Sequence, residues 1–147
     1  MAISSLSFSG CENLEFNQYE GVNYLGNAKN PYMVLFGVTD ITVTTITLHP
    51  DTRIIADGAF NGCTSLTYIS IPGSVVRIGK HAFGDCSSLT SVVFENPNSW
   101  WVSNDCDMED MTETKGLSNT STAATYLIWS DRKTNYSLKY WMRFETT

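Results

Sequence analysis

The chain lacks the short signatures by which enzymes usually announce themselves. It holds no Gly-x-Ser-x-Gly elbow, no phosphate-binding glycine loop and no His-Glu-x-x-His pair. Histidine is scarce, with only His49 and His81, and spacing places no acid partner or nucleophile beside either. Both read as solvated surface residues, and Asp51 near His49 reads as a turn residue. No Cys-x-x-Cys pair occurs among the four cysteines, so a zinc site has no support. Positive charge is also sparse: nine Lys and Arg face fifteen Asp and Glu, giving a net charge of −6 and a pI near 4.7. A phosphate backbone would meet repulsion, which disfavours nucleic acid as a partner. No apolar run approaches the length that spans a bilayer, so membrane insertion of this chain is not expected. The N-terminal MAISSLSFSG lacks the charged and apolar regions of a signal peptide, so an exported protein would carry its signal upstream. Starting mid-unit at SLSFSGCENL, the sequence reads as cut from a longer repeat protein.

What the sequence does hold is a repeat. Phe60, Cys63 and Leu66 recur 23 residues on as Phe83, Cys86 and Leu89, without a gap. The same offset carries Ile55 to Ile78, Ala59 to Ala82, Ile69 to Val92 and Ile71 to Phe94. A fixed period of this size marks a solenoid, in which one unit cannot bury its own apolar edge and its neighbours supply the core. Reading back by 23 relates Ile46 to Ile69 and Leu48 to Ile71, the tail of an earlier, degenerate unit. A partial copy stands at Phe8, Cys11 and Leu14, and the segment between fits one eroded unit with extra residues.

Within each copy, Leu66, Ile69 and Ile71, and likewise Leu89, Val92 and Phe94, sit in short Thr/Val/Ile-rich strands bounded by Pro72 and by Asn96-Pro97. Gly73-Ser74 turns the chain, and Val75 and Ile78 begin its return. Ala, Phe and Cys then follow at three-residue spacing, as one helical turn would arrange them.

The run Ile78-Gly79-x-x-Ala82-Phe83-x-x-Cys86-x-x-Leu89-Thr90-x-Val92 resembles the BspA-like leucine-rich repeat of bacterial surface proteins. The resemblance covers roughly residues 41–97, with Ser5 to Leu14 as a partial copy. A looser one extends over Trp100 to Ser103, Ser121 to Leu127 and Tyr140 to Arg143, which are similar to the closing segment that often follows such repeats. It implies a fold of α/β class leaning β: a short, right-handed leucine-rich-repeat solenoid of parallel strands, with an inserted β-hairpin and a mixed α/β C-terminal cap. The function it implies is a non-catalytic binding or adhesion module for a protein or extracellular-matrix ligand, at the cell surface or outside the cell, with no cofactor. This piece would be the C-terminal portion of such a protein. A carbohydrate-binding module and a structural spacer or end cap of a larger adhesin are the alternatives.

The expected organisation is a single domain, 1–147. Residues 1–15 form a partial repeat, 16–40 a hairpin insertion, 41–97 the leucine-rich repeats and 98–147 the cap. In the hairpin, two β-rich runs flank Asn27 to Pro31. Tyr19, Tyr24 and Tyr32 stand there as packing residues, or alternatively as interface aromatics. In the cap, Ser99 to Ser103 reads as a strand and Ser121 to Ser130 as a helix capped by Asn119 or Thr120. Leu138 to Glu145 alternates, Leu138, Tyr140, Met142 and Phe144 forming the apolar face and Lys139, Trp141, Arg143 and Glu145 the other. Trp100, Trp101, Trp129 and Trp141 are expected to bury area, with a sugar-stacking platform as the alternative.

Asp105, Asp107 and Glu109 alternate as calcium ligands would. The loop lacks the glycine of the sixth position, where Asp110 stands, and the closing glutamate, where Gly116 stands, so it reads as a solvated acidic turn. No metal site is expected. Cys11, Cys63 and Cys86 share one slot of the repeat and read as buried, unpaired thiols, with a Cys63–Cys86 disulfide as the alternative, since adjacent rungs lie within disulfide reach but their side chains run side by side. Cys106 has no evident partner.

If the apolar strand positions face inward, Thr45, Thr47, Tyr68, Ser70, Ser91 and Val93 face outward on successive rungs. Thr44, Thr67 and Thr90 line the strand edge. This neutral, hydroxyl-rich stripe is the candidate ligand-binding face, although β-propensity alone also selects such residues.

Overall fold

A computed structural model describes residues 16–105, 109–128 and 136–144. The N-terminal Phe8, Cys11 and Leu14, together with Cys106, Asp107 and Trp129, lie outside them. The strands are β1 (Asn17–Tyr19), β2 (Val22–Leu25), β3 (Val34–Val38), β4 (Thr45–Ile46), β5 (Ile54–Ile55), β6 (Tyr68–Ile71), β7 (Arg77–Ile78), β8 (Ser91–Phe94), β9 (Trp100–Ser103) and β10 (Thr112–Glu113). Helix α1 (Thr120–Leu127) and strand β11 (Tyr140–Arg143) complete the order. A sheet-dominated α/β architecture results, with one short α-helix among the described residues.

The repeat register becomes strand register. β4, β6 and β8 form a three-stranded parallel sheet in which Thr45 lies opposite Tyr68 and Tyr68 opposite Ser91, each a step of one period. Alternation does the sorting: Ile46, Ile69, Ile71, Val92 and Phe94 are buried, and the residues between them are exposed or half-buried. The return strands behave likewise, β5 and β7 pairing in parallel with Ile55 opposite Ile78. Between the two sheets the chain makes successive three-residue turns, in which the amides of Cys63 and Leu66 donate to the carbonyls of Phe60 and Cys63. Cys86 and Leu89 repeat the pattern on Phe83 and Cys86.

The segments between the paired strands are also bonded to one another. The amides of Gly58, Phe60 and Gly62 donate to the carbonyls of Lys80, Ala82 and Gly84 at 3.0, 2.7 and 3.0 Å. Phe60 and Phe83 stack at 4.9 Å with an interplanar angle of 17°. Phe60, Cys63, Leu66, Ile69, Phe83, Cys86 and Leu89 lie in one continuous core. Close approach fixes one residue type: a Cβ at Gly79 would lie 2.5 Å from the amide nitrogen and 2.7 Å from the Cα of Asp57.

Among the described residues the second sheet has eight strands in the order β1-β2-β3-β5-β7-β11-β9-β10, and only its middle, β3-β5-β7, is parallel. On one side β2 pairs antiparallel with β3, and β1 with β2. Three strands therefore occupy the stretch where two β-rich runs were expected, because Glu20-Gly21, both at positive φ, forms a tight turn between β1 and β2. On the other side β11 pairs antiparallel with both β7 and β9.

β11 corrects the expectation for the last strand. Its alternation holds, but its buried residues are Trp141 and Arg143, while Tyr140 and Met142 are half-buried and Phe144 is 40% exposed. Packing reverses the faces. Trp141 stacks on Phe94 at 6.0 Å and meets Trp100 edge-on at 6.2 Å, and its indole N–H donates to the Tyr136 carbonyl at 3.0 Å. Arg143 donates from Nη2 to the Gly73 carbonyl at 2.9 Å and from Nε to Val75 at 3.4 Å. Buried carbonyls of the turn thus recruit the cation. Leu138, where the expected strand began, instead ends a 3-10 turn, Tyr136–Leu138.

Helix α1 is shorter than the expected Ser121 to Ser130. Asn119 caps it, its side chain accepting from the amides of Ser121 and Thr122, and the buried Ala123, Ala124 and Leu127 join the core where α1 packs against β8.

Candidate binding face

The outward side of the three-stranded sheet collects the candidate residues. Thr45, Tyr68 and Ser91 stand in one row and Ser70 and Val93 in the next, with rows of adjacent parallel strands about 4.8 Å apart. Thr47, just past the end of β4, is exposed. Tyr68 is 41% exposed, and its hydroxyl makes no hydrogen bond among the described residues. Thr44, Thr67 and Thr90 form the entry edge: the Thr67 amide and hydroxyl donate to the Thr44 carbonyl at 2.9 and 3.2 Å, and the Thr90 amide donates to Thr67 at 3.2 Å. None of these positions carries charge, in a chain whose net charge is −6. The face is uncharged and mostly polar, with one aromatic ring, Tyr68, on its middle strand.

Charge sits at its borders. Beyond β8, the Glu95 carboxylate accepts from the Gly73 amide at 2.8 Å. Before β4, the Asp40 carboxylate accepts from the Thr42 hydroxyl at 2.6 Å and its amide at 2.8 Å, and these bonds, the hydroxyl first, hold that carboxyl below its usual range. The neighbouring Ile41 is 55% exposed.

The other sequence candidates resolve differently. Trp100 and Trp141 are 1% and 2% exposed, so neither offers a ring to a sugar. A polar groove of about 230 Å³ lies between Pro97–Ser99 and Glu113–Ser118, and no lining residue is aromatic. Tyr24 is wholly buried, and burial pushes its phenol above the usual range. Tyr19 and Tyr32 are half-buried and pack on one another and on His49.

His49 is therefore not the solvated surface residue expected. It stacks on Tyr32 with centroids 4.0 Å apart, an arrangement that pairs distant segments and leaves no local trace in sequence. His81 is half-buried in a turn at φ +54, its amide donating to the Ser137 carbonyl.

Cys63 and Cys86 are unpaired, and neither is exposed. The Cys86 thiol donates to the Phe60 carbonyl at 3.1 Å. Its contact with the Cys63 side chain, and then burial, push its pKa above the thiol range. Such a thiol is a packing group and not a nucleophile. Among the described residues no cluster of three or more His, Cys, Asp or Glu could hold a metal ion, and no helix is long and apolar enough to cross a membrane. In the acidic loop, Asn104 donates to Asp110 at 3.1 Å.

A family model described as BspA type leucine-rich repeat region (6 copies) matches residues 33–122, from just before β3 into α1. Comparison with curated proteins and with solved structures finds no match. The family match covers more than half of the chain, which belongs to the BspA-type leucine-rich-repeat family.

Proposed function

We propose that this chain is a non-catalytic adhesion module of a bacterial surface protein, binding a protein or extracellular-matrix ligand through the outward face of β4, β6 and β8. The family's members are often surface-associated protein-binding modules and typically non-catalytic, which supports this reading. In it, the parallel strands are rungs of a short right-handed solenoid within a single domain. Residues 1–15 supply a partial repeat, 16–40 the inserted hairpin, 41–97 the repeats and 98–147 the cap.

One observation carries the choice of face. Thr45, Tyr68 and Ser91 stand in register across three strands, with Tyr68 exposed at the centre. An aromatic ring on a rigid sheet, surrounded by short hydroxyl side chains, suits an anchor that a partner can cover at little cost in side-chain entropy. Thr47, Ser70 and Val93 extend the face to either side. A carbohydrate ligand has less support, because Trp100 and Trp141 are buried.

The test is a screen of immobilised matrix proteins, with a glycan array in parallel, using the wild type and Tyr68→Ala. A selective protein ligand whose affinity falls about tenfold or more in Tyr68→Ala, at unchanged thermal stability, is the expected result. Glycan binding in place of protein binding would favour the carbohydrate reading. No selective ligand on either array would favour a spacer or end cap of a larger adhesin.

A further inference from the structure

The turn from His49 to Thr52 is where the hairpin meets the repeats. The Asn30 side chain donates to the Asp51 carbonyl at 2.9 Å, and the Tyr24 hydroxyl oxygen accepts from the His49 amide at 3.1 Å. From the next unit, Ser74 places its hydroxyl 2.6 Å from the Pro50 carbonyl and 2.8 Å from that of Thr52. The imidazole of His49 sits within this junction, stacked on Tyr32 at 4.0 Å and touched edge-on by Tyr19 at 4.8 Å.

The hydrogen bonds define the protonation state. The Asp51 amide donates to His49 Nδ1 at 3.0 Å, so that nitrogen carries a lone pair and the ring is neutral with its proton on Nε2. The Asp51 carboxylate stands 3.9 Å from the same Nδ1, too far for a hydrogen bond. From the hairpin, the titratable groups facing the ring are the phenols of Tyr19 and Tyr32, with Tyr24 edge-on behind Tyr32 at 5.5 Å. Burial holds the Tyr24 phenol neutral above its ordinary range.

We infer that His49 is an acid-sensitive latch between the hairpin and the repeats: protonation at Nδ1 exchanges its partner from the Asp51 amide to the Asp51 carboxylate and loosens the Asn30 anchor. A protonated Nδ1 has no lone pair and meets the Asp51 N–H donor to donor. The carboxylate satisfies the new N–H only by closing about 1 Å, to the length of a charge-assisted bond. The cation keeps its place on Tyr32, whose ring face attracts it. The adjustment therefore falls on Asp51, whose carbonyl holds Asn30. Above the imidazole range the latch is closed; below it the turn is remade.

The experiment is an NMR titration from pH 8 to pH 5, following the His49 ring, the Asp51 amide and the Asn30 side-chain amide. All three are expected to move with one midpoint, and the His81 ring serves as an internal comparison. In His49→Phe, which keeps a stacking ring, the Asn30 response should vanish. Asn30 and Asp51 amides that ignore the His49 midpoint, or an unchanged Asn30 response in His49→Phe, would overturn the latch. Should His49→Phe fail to fold, Asp51→Asn keeps the amide and removes the carboxylate. Its Asn30 side-chain amide should no longer move with the His49 ring, and an unchanged Asn30 response refutes the exchange.

Discussion

The two sheets are built from the same repeats and end differently. In the three-stranded sheet every pairing is parallel and every step is one period, so the sequence repeat and the strand register are one thing. In the eight-stranded sheet the parallel run stops at β7. Trp101, in β9, stands 23 residues after Ile78 and is where a next parallel rung is due, yet β11 lies between them, with Trp141 opposite both Ile78 and Val102. A repeat alone does not continue a stack. An antiparallel strand that returns to take the open edge stops it, and β2 does the same beside β3. The sheet with ordinary rungs keeps its outward rows in register, and the sheet with inserted strands spends its irregular segments on closure.

If β11 closes the stack through its tryptophan, Trp141→Ala should have the largest effect. It empties the space between Phe94 and Trp100, and a loss of about 3–5 kcal/mol is expected. Phe144→Ala, on the face that the sequence alternation suggested was inward, should stay within about 0.5 kcal/mol. Chemical denaturation of the two variants decides between the faces. Equal losses would mean that the closure does not depend on Trp141.

Next in size is Gly79→Ala, which probes the rung-to-rung contact itself. The new methyl meets the backbone of Asp57, which is not free to step aside, so a loss of about 1–3 kcal/mol is expected. Gly73→Ala is the comparison at the neighbouring turn, where the nearest atom a Cβ would meet is 3.8 Å away on the Glu95 carboxylate, and should be milder by calorimetry. Arg143→Met follows, at about 1–3 kcal/mol, because the carbonyls of Gly73 and Val75 lose their charged donor while the aliphatic packing is kept. A neutral result would make Arg143 a bystander of the closure.

The legible part of the fold is the part governed by local spacing. Phe60 and Phe83, Cys63 and Cys86, and the inward strand residues announce their own register, because residues one period apart take matching places on paired strands and turns. The outward candidates follow from them by alternation, and Thr45, Tyr68 and Ser91 do fall in one row. The closure is illegible for the opposite reason. Which face of β11 turns inward is decided by the space between Phe94 and Trp100 and by the carbonyls of Gly73 and Val75, all remote in sequence. The same holds for His49, whose stacking on Tyr32 depends on the hairpin folding back over the turn. Ligand identity has no trace in the register at all, since Thr and Tyr on a strand satisfy β-propensity and binding equally.

The smallest effect expected is a pH dependence confined to the repeats. Cys86 keeps its proton in the folded chain, through its contact with Cys63 and through burial, while the unfolded thiol ionises at its ordinary value of about 8.5. A raised folded value stabilises the fold fully below the ordinary thiol range, and that contribution is lost as pH rises beyond it, because only the unfolded state then releases the proton. Cys63 shifts the opposite way, its thiol lowered by the same contact, so the net loss is that of Cys86 less the gain of Cys63. Denaturation midpoints under reducing conditions should fall over this interval for the wild type and for Trp141-region variants alike, since the closure has no part in it. Cys86→Ala should remove this component of the slope while lowering stability overall. A slope that survives in Cys86→Ala would place the alkaline sensitivity elsewhere, and the thiol ladder would then be packing with no titration behind it.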